Sequence, residues 1–177
     1  MGPDEPGAPG GGQTMLKWLL IVLVVLALLA VAAALAGQMG FLQGTAPDNL
    51  GVREGKLKPP SKTPNSVSSQ ADLWPGHEQA AYARIAPLPL LGDGPATLAR
   101  IQAIVTSMPG AKVVKSQPDY LYATFTTRLM KYTDDVEFWF DPAARVVQVR
   151  SASRLGRKDL GVNRARIEAI RARLAGG

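Results

Sequence analysis

Cysteine is absent from all 177 residues. Its absence excludes disulfides, thiolate nucleophiles, iron–sulfur clusters and cysteine zinc sites, and with them the lipid-bearing cysteine of a bacterial lipoprotein. Aromatic residues are scarce at 6%, so there is little of the base-stacking surface that single-stranded nucleic acid needs. Serines are present at Ser66, Ser68 and Ser69, but no G-x-S-x-G elbow surrounds them. His77 follows the turn formers Pro75-Gly76 and is expected at the surface. Gly156 and Gly161 match the spacing of neither a phosphate loop nor a dinucleotide fingerprint. No catalytic residue, metal site, cofactor or nucleic-acid partner is therefore assigned.

What the chain does have is one long apolar run. Trp18–Ala36 carries no charged side chain, and twelve of its nineteen residues are Leu, Ile or Val. At 1.5 Å per residue a helix of this length spans roughly 28 Å, close to a hydrocarbon core. Twelve such side chains favour insertion by roughly 4–7 kcal/mol. Ala34-Leu35-Ala36 before Gly37 has the A-x-A form of a signal cleavage site, yet secretory apolar regions run to only about 7–15 residues. The expectation is an uncleaved single-pass anchor in a bacterial inner membrane, N-terminus inside, with the C-terminal part periplasmic. Pro6 stands where a myristoylation motif needs Ser or Thr.

Composition divides the rest. Residues 1–15 are Gly/Pro-rich and read as a disordered tail, 16–36 as the transmembrane helix, 37–62 as an aperiodic flexible linker, and 63–177 as a soluble domain. Within that domain Leu98, Ile101, Ile104, Val105 and Met108 recur at helical spacing, with Asp93 or Gly94 placed to cap and Pro109-Gly110 to stop. Lys112–Lys115, Tyr120–Thr127, Val136–Phe140 and Val146–Arg150 read as strands, the last two a hairpin around Asp141-Pro142-Ala143-Ala144. Leu121, Ala123 and Phe125 share one face; Tyr120, Tyr122 and Thr124 share the other. Ile167, Ile170 and Leu174 make the stripe of a closing helix, Asn163–Leu174, for which Asn163 is the expected N-cap. The fold class is α+β: a small antiparallel sheet of about four strands with two helices on one face.

The charge is unevenly placed. Of a formal net +6, Arg145–Arg173 holds nine basic residues against Asp159 and Glu168. Small hydroxyls, glycines and a helix start lie among these arginines. Amides at Asn163–Arg166 would carry partial positive charge, and guanidinium forks beside them suit phosphate or carboxylate. Candidate ligand-binding residues are Arg150, Ser151, Ser153, Arg154, Arg157, Asn163 and Arg164, supported by Asp134, Asp135, Glu137 and Asp159. For the carboxylates the leading reading is ion pairing across the hairpin, since Asp135 and Glu137 share a face that Arg150 can oppose.

These residues also carry a resemblance. Pro64, Asn65, Val67, Ser68 and Ser69, then Asp134, Asp135, Glu137 and Phe138, then Arg150, Ser151, Ser153, Arg154, Gly156, Asp159, Gly161, Asn163 and Arg164 follow the pattern of the domain-of-unknown-function family 1499 of bacteria and plastids. The resemblance spans about Ser61–Leu174. It implies domain limits rather than an activity. Ser66 stands where the family often has cysteine, so any redox, disulfide or lipid role of that cysteine is not carried over.

The functional expectation is a noncatalytic, membrane-anchored envelope module that binds an anionic small molecule, lipid headgroup or envelope protein through the arginine cluster. The alternatives are a hydrolase-type enzyme using Asp134, Asp135 and Glu137, and a purely structural assembly protein.

Overall fold

The computed structural model describes residues 11–176. Helix α1 runs Gly11–Gln38, with mean hydropathy 3.3 across its most apolar window and apolar side chains exposed all round. At 1.5 Å per residue its 28 residues extend about 42 Å, long enough and apolar enough to cross a bilayer. Gly11–Met15, read above as part of a disordered tail, belong to this helix; residues 1–10 lie outside the described residues.

The remaining chain is an α+β unit. In order it forms β1 (Ser66–Ser68), a 3-10 turn at Ala71–Leu73, α2 (Ala80–Ala83), β2 (Leu88–Pro89), α3 (Gly94–Thr106), β3 (Ala111–Ser116), β4 (Tyr120–Thr126), β5 (Thr133–Asp141), β6 (Val146–Ser153) and α4 (Val162–Ala175). The sheet is antiparallel with order β1-β6-β5-β4-β3, and β2 continues the β1 edge of β6. The two short strands raise the count to six. Both sit among prolines and turn formers, where a two- or three-residue strand leaves no periodic signal.

Helices α3 and α4 cover one face. Ile101, Val105, Ile167, Ile170 and Leu174 meet Leu121, Phe125, Val136, Phe138 and Val149 in a single core. Asp93 caps α3 as expected, its Oδ1 accepting from Ala96 N at 2.7 Å. Strands β5 and β6 are longer than their apolar cores. β5 begins at Thr133 and β6 ends at Ser153, so Asp134, Asp135, Ser151 and Ser153 are ladder residues rather than loop.

The segment expected to be a flexible linker, 37–62, is different in its second half. It is laid across the sheet face opposite the helices. Gly51 N donates to Glu137 Oε1 at 2.7 Å, Leu57 N to Gln70 Oε1 at 2.8 Å, and Pro59 O accepts from Arg150 Nε at 3.2 Å. Leu57 is 1% exposed. This strap binds mainly through backbone groups, which is why its sequence shows no pattern.

Candidate functional site

Period-2 alternation splits the polar cluster between the two faces of the sheet. In the β5–β6 register, Asp134 lies opposite Ser153, Val136 opposite Ser151, and Glu137 opposite Arg150. Asp134, Ser151 and Ser153 therefore look toward α4, while Asp135, Glu137 and Arg150 look toward the strap. The three carboxylates proposed for a hydrolase do not converge.

On the α4 side the polar groups form a closed clip. Asn163 is fully buried. Its Oδ1 accepts from Ser151 Oγ at 2.5 Å and Arg166 Nη1 at 2.8 Å, and its Nδ2 donates to Asn65 O, Ser153 Oγ and Asp159 Oδ2 at 2.9–3.1 Å. Arg166, not singled out from the sequence, pairs with Asp134 at 2.5 Å and stacks on Phe125 with its guanidinium carbon 4.6 Å from the ring centroid. Asn163 is not the N-cap. Gly161 holds that position at φ 82°, a left-handed backbone that glycine tolerates. The capping carboxylate is Asp159, which accepts from Gly161 N and Asn163 N, both at 3.1 Å. An internal acid thus occupies the start of α4, where the sequence suggested amides open to a guest. Arg164 donates to the carbonyls of Arg84 and Tyr82 at 2.9 and 2.6 Å.

The strap side is arranged differently. Arg150 and Glu137 are 4% and 0% exposed and meet at 3.5 Å. Glu137 Oε1 also accepts from Tyr120 Oη at 2.7 Å, while Glu137 Oε2 and Arg150 Nη1, the atoms of the 3.5 Å pair, have no closer hydrogen-bond partner among the described residues. Burial pulls the Arg150 pKa down against the pull of Glu137 and Asp135. Arg154 forks onto Asp135, with Nε and Nη2 at 2.7–3.1 Å, and Nη2 also reaches Tyr122 Oη at 3.2 Å. Burial, then the hydrogen bond to Asp135, pushes the Tyr122 phenol up to about 12.

Between strap and sheet lies a cavity of about 480 Å³. Lys58, Pro59, Pro60 and Lys62 form its outer wall, Asp135, Arg150, Ala152, Ser153 and Arg154 its floor, and His77 one rim. Arg150 and Arg154 are thus the sequence-nominated binders whose side chains share its face of the sheet; Ser153 lines it too, but its Oγ is held by Asn163 on the α4 side. Ser151 and Asn163 are committed to the α4 clip, Arg164 is engaged elsewhere, and the exposed Arg157 does not line it. Sequence reading missed Lys58, Lys62 and His77, since nothing short of the strap's path brings residues 58–62 over residues 150–154.

The family model for a protein of unknown function, DUF1499, matches residues 56–174. The chain belongs to the DUF1499 family. No curated protein and no solved structure matches it. The DUF1499 match takes in the outer wall of the cavity as well as its floor, beginning within the strap just before Leu57.

One pH prediction follows from the α4 clip of this DUF1499 chain. Burial works to raise the Asp159 pKa, but hydrogen bonds from Tyr82 Oη, Asn163 and the Gly161 amide outweigh it and hold the carboxyl below its ordinary value. A carboxylate depressed in the folded state adds stability above its unfolded pKa of about 3.9, and that stability is lost as pH falls through the folded value. Asp159→Asn is expected to cost about 1–3 kcal/mol at neutral pH, from the lost charge-assisted bonds, and to flatten the stability–pH curve below about pH 4. Denaturant melts of both proteins at stepped pH measure it. Parallel curves would refute it.

Proposed function

We propose that the chain is a single-pass, membrane-anchored envelope module, its α+β unit on the periplasmic side, that holds a small anion between strap and sheet. α1 supports the anchor. It continues as helix through Ala34-Leu35-Ala36, and Gly37 is packed so closely on the loop before β5 that a Cβ there would lie 2.6 Å from Met130 O. A chain cut after Ala36 would lose the helix that seats this contact.

The observation that carries the ligand reading is the positive charge gathered round this cavity, where Lys58, Lys62 and Arg154 stand beside the buried Arg150. Lys58, Lys62, Arg150 and Arg154 outnumber Asp135 and the underlying Glu137, leaving a positive excess. The cavity suits a compact phosphate ester or a di- or tricarboxylate.

The test is calorimetric titration of the full chain, reconstituted in zwitterionic nanodiscs, with inorganic phosphate and with citrate. Binding is expected to weaken with added salt. Lys62→Ala, at an exposed position, is expected to weaken it roughly 10-fold, as for loss of one charge-assisted bond. Absence of heat with both anions at low salt would end this reading.

A further inference from the structure

The sheet has two unlike ends. At one, β5 turns into β6 through Pro142–Arg145. At the other lie the loop between β4 and β5, residues 127–132, and the segment between β6 and α4, residues 154–161. Helix α1 is fastened to this second end. Gln38 Nε2 donates to Arg128 O and Leu129 O at 3.2 and 2.8 Å. Leu42, just beyond the helix, shares a cavity of about 530 Å³ with Tyr132, Leu155, Lys158 and Val162. The apolar run of α1 ends at Ala36, so whatever sits beside Gln38 stands at headgroup depth.

Three features of this end suit a bilayer surface. It exposes large apolar side chains: Leu129, Leu155, Val162 and above all Leu160, which is 91% exposed. It interleaves them with Arg128, Lys131, Arg157 and Lys158, while Asp159, the acid within the 154–161 segment, is turned inward. Each loop also holds a non-glycine residue in left-handed backbone, Lys131 at φ 58° and Leu160 at φ 52°. For a leucine that conformation is unfavourable; it closes the turn in which Val162 N donates to Asp159 O at 3.0 Å, and it leaves an apolar side chain pointing into open space.

We propose that the loops 127–132 and 154–161 form a membrane-contact surface that lies on the anionic leaflet from which α1 emerges. Leu129, Leu155 and Leu160 enter the interfacial region, and Arg128, Lys131, Arg157 and Lys158 meet lipid phosphates. The bilayer is the partner the attachment dictates, since α1 places it beside the loops before any other molecule can arrive. In consequence the α+β unit is held against the bilayer by this end, with the Pro142–Arg145 turn directed away. The inference rests on the anchor reading of α1 and is independent of the anion cavity.

The lack of cysteine makes the test direct. Single cysteines are introduced in the full chain at Leu129, Leu155 and Leu160, at Ala143 in the distal turn, and at Leu26 within α1. Each is nitroxide-labelled and reconstituted in phosphatidylcholine vesicles with or without phosphatidylglycerol. The oxygen-to-nickel-chelate accessibility ratio is read by electron paramagnetic resonance. With phosphatidylglycerol present, the ratio at the three loop sites is expected to exceed that at Ala143 severalfold. Arg157→Glu with Lys158→Glu is expected to bring position 160 down toward the Ala143 value. Loop ratios equal to that of Ala143, beside a lipid-exposed Leu26, would overturn the contact surface and leave the anchor standing. An aqueous Leu26 would overturn both. Equal loop ratios in the two lipid mixtures would overturn the anionic preference. Spin–spin broadening at position 160 that disappears on dilution with unlabelled chain would assign the surface to a second copy instead.

Discussion

Replacing Glu137 with leucine is expected to lower the melting temperature of the full chain by roughly 10–20 °C, the shift that about 3–5 kcal/mol produces in a domain of this size. Glu137 is fully buried and opposes Arg150 in the ladder. Its carboxylate is the acceptor on which three elements converge: Arg150 from β6, Tyr120 Oη from β4 and Gly51 N from the strap. The leucine would leave a guanidinium at 4% exposure facing apolar atoms, with a phenol and an amide stranded beside it. The cost comes from the orphaned partners more than from the 3.5 Å pair itself, which is a loose one. For that reason the double variant Glu137→Leu/Arg150→Met is expected to regain most of the loss, since a buried pair exchanged whole for apolar side chains is often neutral. The strap should also loosen in the single variant, with faster amide exchange at Gly51 and Leu57. Calorimetric melts of the wild type, both single variants and the double variant give the coupling directly. A Glu137→Leu protein melting within about 0.5 kcal/mol of wild type would show that the pair carries no such burden.

The residues that make this network were partly legible in advance. Strand periodicity alone sets Asp135 and Glu137 on one face and lets Arg150 oppose them, and the ladder places Glu137 and Arg150 as partners. The same rule puts Leu121, Ala123 and Phe125 in the core, where they are found. The rule failed at Asp134 only through a boundary. With β5 read from Val136, Asp134 is grouped with Asp135 and Glu137 as one set of carboxylates, whereas the ladder puts it on the opposite face of the sheet. Arg166 escaped notice because its role depends on how α4 is rotated over β5, which helical spacing does not specify. The strap was the larger omission. Its contacts run through Gly51 N, Leu57 N and Pro59 O. Backbone groups are common to every sequence, so a segment held by them reads like a linker. Both cavity lysines lie in this segment, and their membership in the site became visible only with its path.

Asn163→Leu is expected to destabilise the chain by about 2–6 kcal/mol, on the scale of two buried polar groups each losing a partner at about 1–3 kcal/mol. Leucine keeps the branched shape but its methyl groups are bulkier than the amide, so overpacking at this fully buried site adds to the lost hydrogen bonds. Ser151 Oγ loses its acceptor, Arg166 Nη1 keeps only Ser151 of its two partners, and Asn65 O, beside β1, loses a donor ninety-eight residues away in sequence. This side chain is the knot that ties the β1 edge, the end of β6 and the first turn of α4 into one unit. Its loss is expected to release α4 before the sheet. Amide exchange across Ile167–Leu174 should accelerate ahead of exchange in β4 and β5, whereas in wild type the two are expected to open together. Ser151→Ala alone, in which Arg166 Nη1 keeps Asn163 Oδ1, is expected to cost less than Asn163→Leu. If Asn163→Leu instead melts like wild type, with α4 and the sheet still exchanging as one, the apolar contacts of Ile167, Ile170 and Leu174 alone hold the helix and the polar clip is incidental to the fold.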